Sequence, residues 1–158
     1  MRDSQREKVY QAENRLCGIY DNAEQIGHRM VTLDGCDLTL PPEAKFGCIE
    51  SIQRYVDTVV GRGQVTVRER RGASVAHYEP WSHTIAIPNG RDRWACREIV
   101  VLHELAHHRT RSDHSGGVAA HGPEFVAALT QLLTDTMGPE VGLAYRVLCA
   151  HSGAKETV

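Results

Sequence analysis

The segment His103-Glu104-Leu105-Ala106-His107 brings two imidazoles and one carboxylate together in a short stretch of chain. Because His103 and His107 are four residues apart, a helix would hold both on one face about 6 Å apart, close enough to bind one Zn²⁺. Glu104 follows His103 directly, so in a helix its side chain is rotated about 100° from that of His103. From there its carboxylate can reach a metal-bound water without being a ligand. Zinc lowers the pKa of that water to about 7, the glutamate takes the proton, and a carbonyl polarised by the metal is attacked. The segment therefore predicts a zinc-dependent hydrolase with one Zn²⁺ per chain.

The residues around this segment predict that it lies inside the protein. A helix over 93–110 would have almost no polar face, because apolar residues surround the segment: Ile99, Val100, Val101, Leu102, Leu105 and Ala106. A helix that is apolar nearly all round is a buried one. The alternative is an ordinary helix on which the histidines and the glutamate face solvent. The apolar neighbours argue against that alternative, and a buried glutamate without a partner would be costly.

A catalytic zinc ion usually takes three protein ligands, so a third ligand is expected beyond the segment. The continuation H-E-x-x-H-x-x-G-x-x-H is broken here, because Thr110 holds the glycine position and Asp113 holds the third-histidine position. His121 is the preferred candidate, since the glycine-containing connection 112–120 can fold the next helix back towards the metal. Three other candidates stay open as the third ligand: Asp113, His114 and Glu124.

The hydrophobic pattern of the whole chain predicts an α+β fold. Apolar residues at helical spacing indicate helices over 4–26, from Pro41-Pro42 to about 61, over 93–110 with Asp92 as N-cap, from Gly122-Pro123, and from Pro139. A hairpin is indicated around Asp34-Gly35, and strands are indicated at 64–68, 73–78 and 83–87. We expect one domain over 1–158, with a helical part at 1–63, the sheet and metal-site core at 64–137, and a C-terminal helix and tail at 138–158.

The metal segment, a short linker and then His121-Gly122-x-x-Phe125 resemble the SprT-like zincins and related small metallohydrolases of bacteria and phages. The likeness reaches back through Tyr78-x(6)-Ile85-Ala86-Ile87 and covers residues 65–133. It implies a zincin-like fold with a small, mostly antiparallel sheet packed on helices, metallopeptidase activity, and His121 as the third ligand. It also implies that 83–87 is an edge strand along which a peptide substrate lies antiparallel. The chain lacks the C-terminal cysteine-rich zinc ribbon of the SprT pattern, which weakens the case for a DNA-linked role.

Polar and aromatic side chains outside the metal segment also bear on substrate binding. Tyr78, His83 and His77 precede the metal helix, where one of them can stabilise an oxyanion; the alternative is an ordinary residue of the sheet. Trp81 and Trp94 are expected to pack against the protein. His108 is expected to point away from the ligand pair, at the end of its helix.

The composition of the chain limits which other functions, partners and cellular locations are expected. The formal net charge is −2, so the chain as a whole lacks the basic character of a nucleic-acid-binding protein, although Arg68, Arg70 and Arg71 form a local cluster. The expected partner is a peptide or protein substrate. Two alternatives stay open: a DNA-associated or phage regulatory protease, and a zinc-binding module without catalysis. Five widely spaced cysteines, a polar N-terminus and no long apolar run predict buried reduced thiols in a cytoplasmic protein without a membrane span.

Overall fold

The computed structural model describes residues 3–88, 93–113 and 119–157, without the side chains of residues 111–113. Asp92 and His114 therefore lie outside the described residues. The described chain combines helices with two small sheets, which confirms the predicted α+β class. The helices are α1 (Arg6–Ile26), α2 (Ile49–Val60), α3 (Glu98–Asp113), α4 (Pro123–Met137) and α5 (Pro139–Ser152), and the strands are β1 (Met30–Leu33), β2 (Cys36–Thr39), β3 (Thr66–Arg70), β4 (His77–Glu79) and β5 (Thr84–Pro88).

The chain divides into two compact units, of which the first comprises Met1–Glu43 and His114–Val158. In this unit α1 and α4 both pack on α5. Their apolar faces contribute fully buried side chains to a shared core: Val9, Leu16, Leu129, Leu132, Val141, Tyr145 and Leu148. The predicted hairpin is confirmed as β1 and β2, and its turn residues Asp34 and Gly35 have φ values of 49° and 78°. Positive φ at both positions is what a two-residue type I′ turn requires.

The second unit, Ala44–Asp113, contains a three-stranded sheet with β5 at its centre. β5 pairs in parallel with β3 and antiparallel with β4, so that Ile85 lies between Val67 and Tyr78. The expectation that 83–87 forms an edge strand is therefore wrong, because both sides of this strand are occupied. All five residues of β5 are buried. A short, continuous apolar run is typical of a strand covered on both faces, and it explains the central position.

The segment before α2 fixes the beginning of α3. Glu98, in the first turn of α3, accepts hydrogen bonds from the Tyr55 hydroxyl (2.6 Å) and the Ala44 amide (2.8 Å). Lys45 also forms a β-bridge with Arg97. Because this pairing keeps the chain around Lys45 extended, α2 begins at Ile49, later than the Pro41-Pro42 pair predicted. α3 therefore starts from a position held by both backbone and side-chain hydrogen bonds.

The exposure of several side chains differs from the sequence-based expectation. Cys17, Cys96 and Cys149 are buried as expected, whereas Cys36 and Cys48 are exposed. Trp81, in the turn between β4 and β5, is 99% exposed, so the prediction that it packs is wrong. Trp94 lies in a short 3-10 helix, Trp94–Cys96, where the Arg97 guanidinium lies over its ring at 4.6 Å from the centroid. Within the described part of the chain, no helix is long and apolar enough to cross a membrane.

The contact between α4 and α5 depends on a glycine. A Cβ atom added to Gly142 would lie 3.1 Å from Thr134 Cβ and 3.3 Å from the Thr130 carbonyl oxygen, so the two helices approach closely at this point. We expect Gly142→Ala to lower the free energy of unfolding by about 1–3 kcal/mol, because the added methyl overpacks the contact. Denaturant unfolding followed by circular dichroism measures the change.

Gly18 in α1 provides the matched control, because a Cβ added there meets nothing within 4 Å. Gly18→Ala should raise the free energy of unfolding by about 0.5–1 kcal/mol through the better helix propensity of alanine. Equal stabilisation by both substitutions would contradict the close approach of α4 and α5.

Candidate metal centre

The middle turn of α3 buries three polar side chains. His103, Glu104 and His107 are 4%, 5% and 8% exposed, in a stretch where Val101, Leu102, Leu105 and Ala106 have no exposed surface. The prediction that this segment forms a buried helix is therefore confirmed. Polar groups in such surroundings need hydrogen-bonding or metal partners, since burial alone disfavours them.

The two histidines of this turn face each other. Their Nε2 atoms are 3.2 Å apart, and their ring centroids are 4.9 Å apart with the rings inclined at 77°. A tetrahedral zinc ion with Zn–N bonds of about 2.0–2.1 Å would hold two ligand nitrogens about 3.3 Å apart. A hydrogen bond between one protonated and one unprotonated Nε2 gives a similar separation. The spacing of the two atoms therefore fits a metal-ligand pair closely and also permits the direct hydrogen bond.

The position that would hold a glycine in the longer zincin motif is part of the helix. Thr110 is buried, and its hydroxyl donates to the Ala106 carbonyl at 3.0 Å, which is a bond within the helix. α3 continues to Asp113, so the chain makes no turn at Thr110 that could bring a third ligand from this side. The backbone of Asp113 is helical, and its side chain lies outside the described residues, as does His114.

His121 lies immediately before α4, where Gly122 is the N-cap and Pro123 the first helical residue. The residue is 6% exposed, and its Nδ1 atom is 2.7 Å from Oδ2 of Asp3. A carboxylate only accepts hydrogen bonds, so Nδ1 carries the hydrogen, and in the neutral imidazole Nε2 then carries the lone pair that a metal requires. The neighbouring carboxylate therefore favours the tautomer of His121 that is suited to metal binding through Nε2.

Aromatic neighbours and the N-terminus of α4 limit the alternatives around His121. The Tyr10 and Phe125 rings pack against the imidazole, with centroid distances of 5.3 Å and 4.9 Å. Glu124 is only half-buried, and its Oε2 atom would lie 3.0 Å from a Cβ atom added to Gly122. Glu124 thus has less of the enclosed environment that surrounds His121.

Tyr78 joins two histidines in a second polar cluster. Its buried hydroxyl lies 3.0 Å from Nδ1 of His83 and 2.8 Å from Nδ1 of His108. The hydroxyl has one hydrogen, so it donates to one imidazole and accepts from the other. The expectation that His108 lies at the end of its helix is wrong, because α3 continues for more than a turn beyond it. Its ring packs against Tyr78 and His83. The residue pattern carried no signal for this contact between separate elements.

The backbone at His83 adopts an uncommon conformation. Its φ is +47°, in the left-handed region that costs an L-residue about 1–2 kcal/mol. The side chain is exposed, and Nδ1 is the nitrogen that meets Tyr78, so Nε2 faces away from that hydrogen bond. His77, the third residue considered for oxyanion stabilisation, is exposed on β4, with no contact to this cluster among the hydrogen bonds of the described residues.

The arginine cluster is partly engaged by its own sheet. Arg68 pairs with Glu79 across the sheet, and this hydrogen bond lowers the pKa of Glu79 below its ordinary value. The Arg70 guanidinium donates to the Val75 carbonyl at 2.7 Å. The carboxylate of Glu79 offsets the charge of Arg68, whereas the carbonyl that Arg70 contacts is neutral and leaves the charge of Arg70 in place.

Comparison with protein-family models, with curated protein sequences and with solved structures finds no match to this chain.

We expect Tyr78→Phe to lower the free energy of unfolding by about 1–3 kcal/mol, because it leaves two imidazoles without their shared partner. The measurement is denaturant unfolding at neutral pH. His83→Gly is the comparison variant: it removes one of the two hydrogen bonds but relieves the positive φ, and these effects of about 1 kcal/mol each should nearly cancel. If both substitutions destabilised the protein equally, the phenol would not be the centre of the cluster.

Proposed function

We propose that this protein is a zinc-dependent hydrolase that cleaves peptide bonds. His103, His107 and His121 hold the metal ion, and Glu104 acts as the general base. The observation that carries the proposal is the separation of 3.2 Å between the Nε2 atoms of His103 and His107 in a buried helical turn. Two imidazoles at this distance, with a glutamate between them in the sequence, form the arrangement that zinc hydrolysis requires.

The surroundings of His121 support it as the third ligand. Its side chain is buried, and its Nδ1 atom meets the Asp3 carboxylate at 2.7 Å, which favours the tautomer with the lone pair on Nε2. Three neutral imidazoles favour zinc over magnesium or calcium, which prefer oxygen ligands.

The presence of Glu104 favours catalysis over a purely structural role. Structural zinc sites are closed by four protein ligands, whereas catalytic sites use three and leave one position open. A structural site has no use for a glutamate placed as Glu104 is, whereas a hydrolytic site needs it as the base.

Glu104 would move the proton during hydrolysis. Bound zinc supplies Lewis acidity, which makes a water molecule more acidic and a substrate carbonyl more electrophilic. Glu104 is buried next to His103, where a carboxylate can accept the proton of the attacking water and donate it to the leaving amine. Its role is to hold and transfer a proton, and for this reason the amide of glutamine could not replace it.

The second polar cluster supplies candidate substrate contacts. We propose that His83 presents Nε2 to the substrate, while Tyr78 and His108 hold the ring through its Nδ1 side. A side chain kept in a strained backbone conformation is more often found at a functional site than elsewhere. An extended peptide would pair with β4, which has β5 on one side and, among the described strands, no partner on the other. β5 itself cannot accept a peptide, because it is central.

The SprT-like assignment and the zincin-like fold belong to this proposal. They rest on the residues of the metal segment and on His121-Gly122-x-x-Phe125. A DNA-linked role has no observation of its own in its favour: the net charge is −2, and Arg68 is paired with Glu79. A cytoplasmic location and a single domain over residues 1–158 stay predictions.

We expect one zinc ion per chain, measured by elemental analysis of protein purified without chelator. His121→Ala should remove most of the zinc affinity, because two imidazoles alone bind zinc weakly. Glu124→Gln and Asp113→Ala should retain the ion and serve as controls for the other candidate ligands. Zinc retained by His121→Ala but lost from either control would transfer the role of third ligand to that residue.

We expect Glu104→Gln to keep one zinc ion but to lose hydrolysis by a factor of roughly 10²–10⁴, the usual contribution of a general base. The measurement is the release of fluorescent peptides from labelled, unfolded casein, with the zinc content determined on the same sample. Activity that is retained by this variant would remove Glu104 as the base. A parent chain that holds zinc without cleaving casein or any other unfolded protein would contradict the hydrolase proposal and leave the metal site standing.

A further inference from the structure

The hydrogen bond between His121 and Asp3 joins residues 118 positions apart in the chain. We infer that Asp3 is a positioning residue for the metal: its carboxylate fixes the tautomer and the orientation of His121 and thereby raises the affinity for zinc. This role rests on the proposed metal site. It gives a function to the segment before α1, where the sequence pattern indicates no functional residue.

The contact is short, partly enclosed and directional. Nδ1 of His121 lies 2.7 Å from Oδ2 of Asp3, and the two side chains are 7% and 25% exposed. A charge-assisted hydrogen bond of this length makes the imidazole a stronger electron donor at Nε2. Metal-binding histidines commonly donate their other ring N–H to a carboxylate for this reason.

A separate set of hydrogen bonds holds the N-terminal segment in place. The Gln5 side chain donates to the Lys155 carbonyl at 3.2 Å and accepts from the Lys155 amide at 2.6 Å. The side-chain nitrogen of Gln5 also lies 3.4 Å from the carbonyl oxygen of His121. Gln5 therefore ties Asp3, two residues earlier, to the loop that carries the imidazole. Asp3 is thus held at His121 by more than its own hydrogen bond.

The imidazole has little freedom to turn away from Asp3. Tyr10 and Phe125 pack against its ring at 5.3 Å and 4.9 Å between centroids. A half-turn of the ring about the Cβ–Cγ bond would put Cδ2 in the place of Nδ1 and Cε1 in the place of Nε2, so the hydrogen bond to Asp3 would be lost. The carboxylate and the two aromatic rings thus act together: the rings restrict the plane of the imidazole, and Asp3 selects which nitrogen carries the hydrogen.

The pair could instead serve stability alone, and the two roles differ in what they change. A purely structural hydrogen bond affects unfolding of the metal-free chain and leaves the intrinsic affinity for zinc unchanged. A positioning role lowers the zinc affinity of chains that remain folded when the pair is removed. The zinc dissociation constant of folded protein therefore separates the two roles.

The experiment measures zinc affinity by competition with a chromophoric chelator at fixed pH, for the parent chain, Asp3→Asn, Asp3→Ala and Asp3→Glu. Asparagine keeps the size of the side chain and removes its charge. We expect Asp3→Asn and Asp3→Ala to weaken zinc binding by a factor of roughly 10–100, the usual effect of losing an outer-shell partner. Asp3→Glu should recover part of the loss, because it restores a carboxylate.

Asp34 provides a matched control, because its carboxylate lies 2.8 Å from Nε2 of His151, a histidine outside the proposed site. Asp34→Asn removes a pair of the same kind and should bind zinc like the parent. Circular dichroism of each metal-free variant shows whether it is folded at the temperature of the titration.

The outcomes separate the positioning role from the metal site on which it rests. Parent-like zinc affinity in folded Asp3→Asn and Asp3→Ala would overturn the positioning role and leave the metal site intact. An equal loss of zinc affinity in Asp34→Asn would also overturn the positioning role, because the loss would then come from removing any negative charge and not from removing the partner of His121. A parent chain without zinc affinity would contradict the metal site itself.

Discussion

The rest of the structure depends on the burial of His103, Glu104 and His107 within the middle turn of α3. Imidazole and carboxylate groups lose their hydration in such a place, and burial of that kind is tolerated only where partners replace the water. The apolar residues on either side keep solvent away from the turn. The hydrogen bonds that Glu98 accepts fix the beginning of α3 and therefore the place of this turn in the second unit. A divalent cation would be the strongest partner for the two imidazoles. It would bind the lone pairs on their nitrogen atoms, which would otherwise need hydrogen-bond donors inside the protein.

The features predicted correctly from the sequence are those that depend on near neighbours in the chain. The buried turn follows from the spacing of His103 and His107 among apolar residues, and the hairpin follows from Asp34-Gly35. Helical periodicity and turn chemistry act over a few residues, so the sequence displays them directly. The α+β class follows from the order of such elements, whereas the zincin-like fold depends on the packing between them and stays a proposal.

The features that were missed join residues far apart in the chain. The central position of β5 depends on which strands pair with it, and a parallel neighbour such as β3 is joined through a long connection. The contact of His108 with Tyr78 and the contact of His121 with Asp3 arise in the same way, from elements brought together only by folding. Ile85-Ala86-Ile87 did carry a usable signal, because a continuous apolar run favours a strand between two others.

The placement of the tryptophans determines what intrinsic fluorescence would report. Both lie in the second unit, Trp81 at 99% exposure and Trp94 under the Arg97 guanidinium beside the first turn of α3. The indole of Trp81 is already surrounded by water, so its emission should change little when the chain unfolds. A spectral shift would therefore come mainly from Trp94, and it would report on the order of the helix that carries His103 and His107.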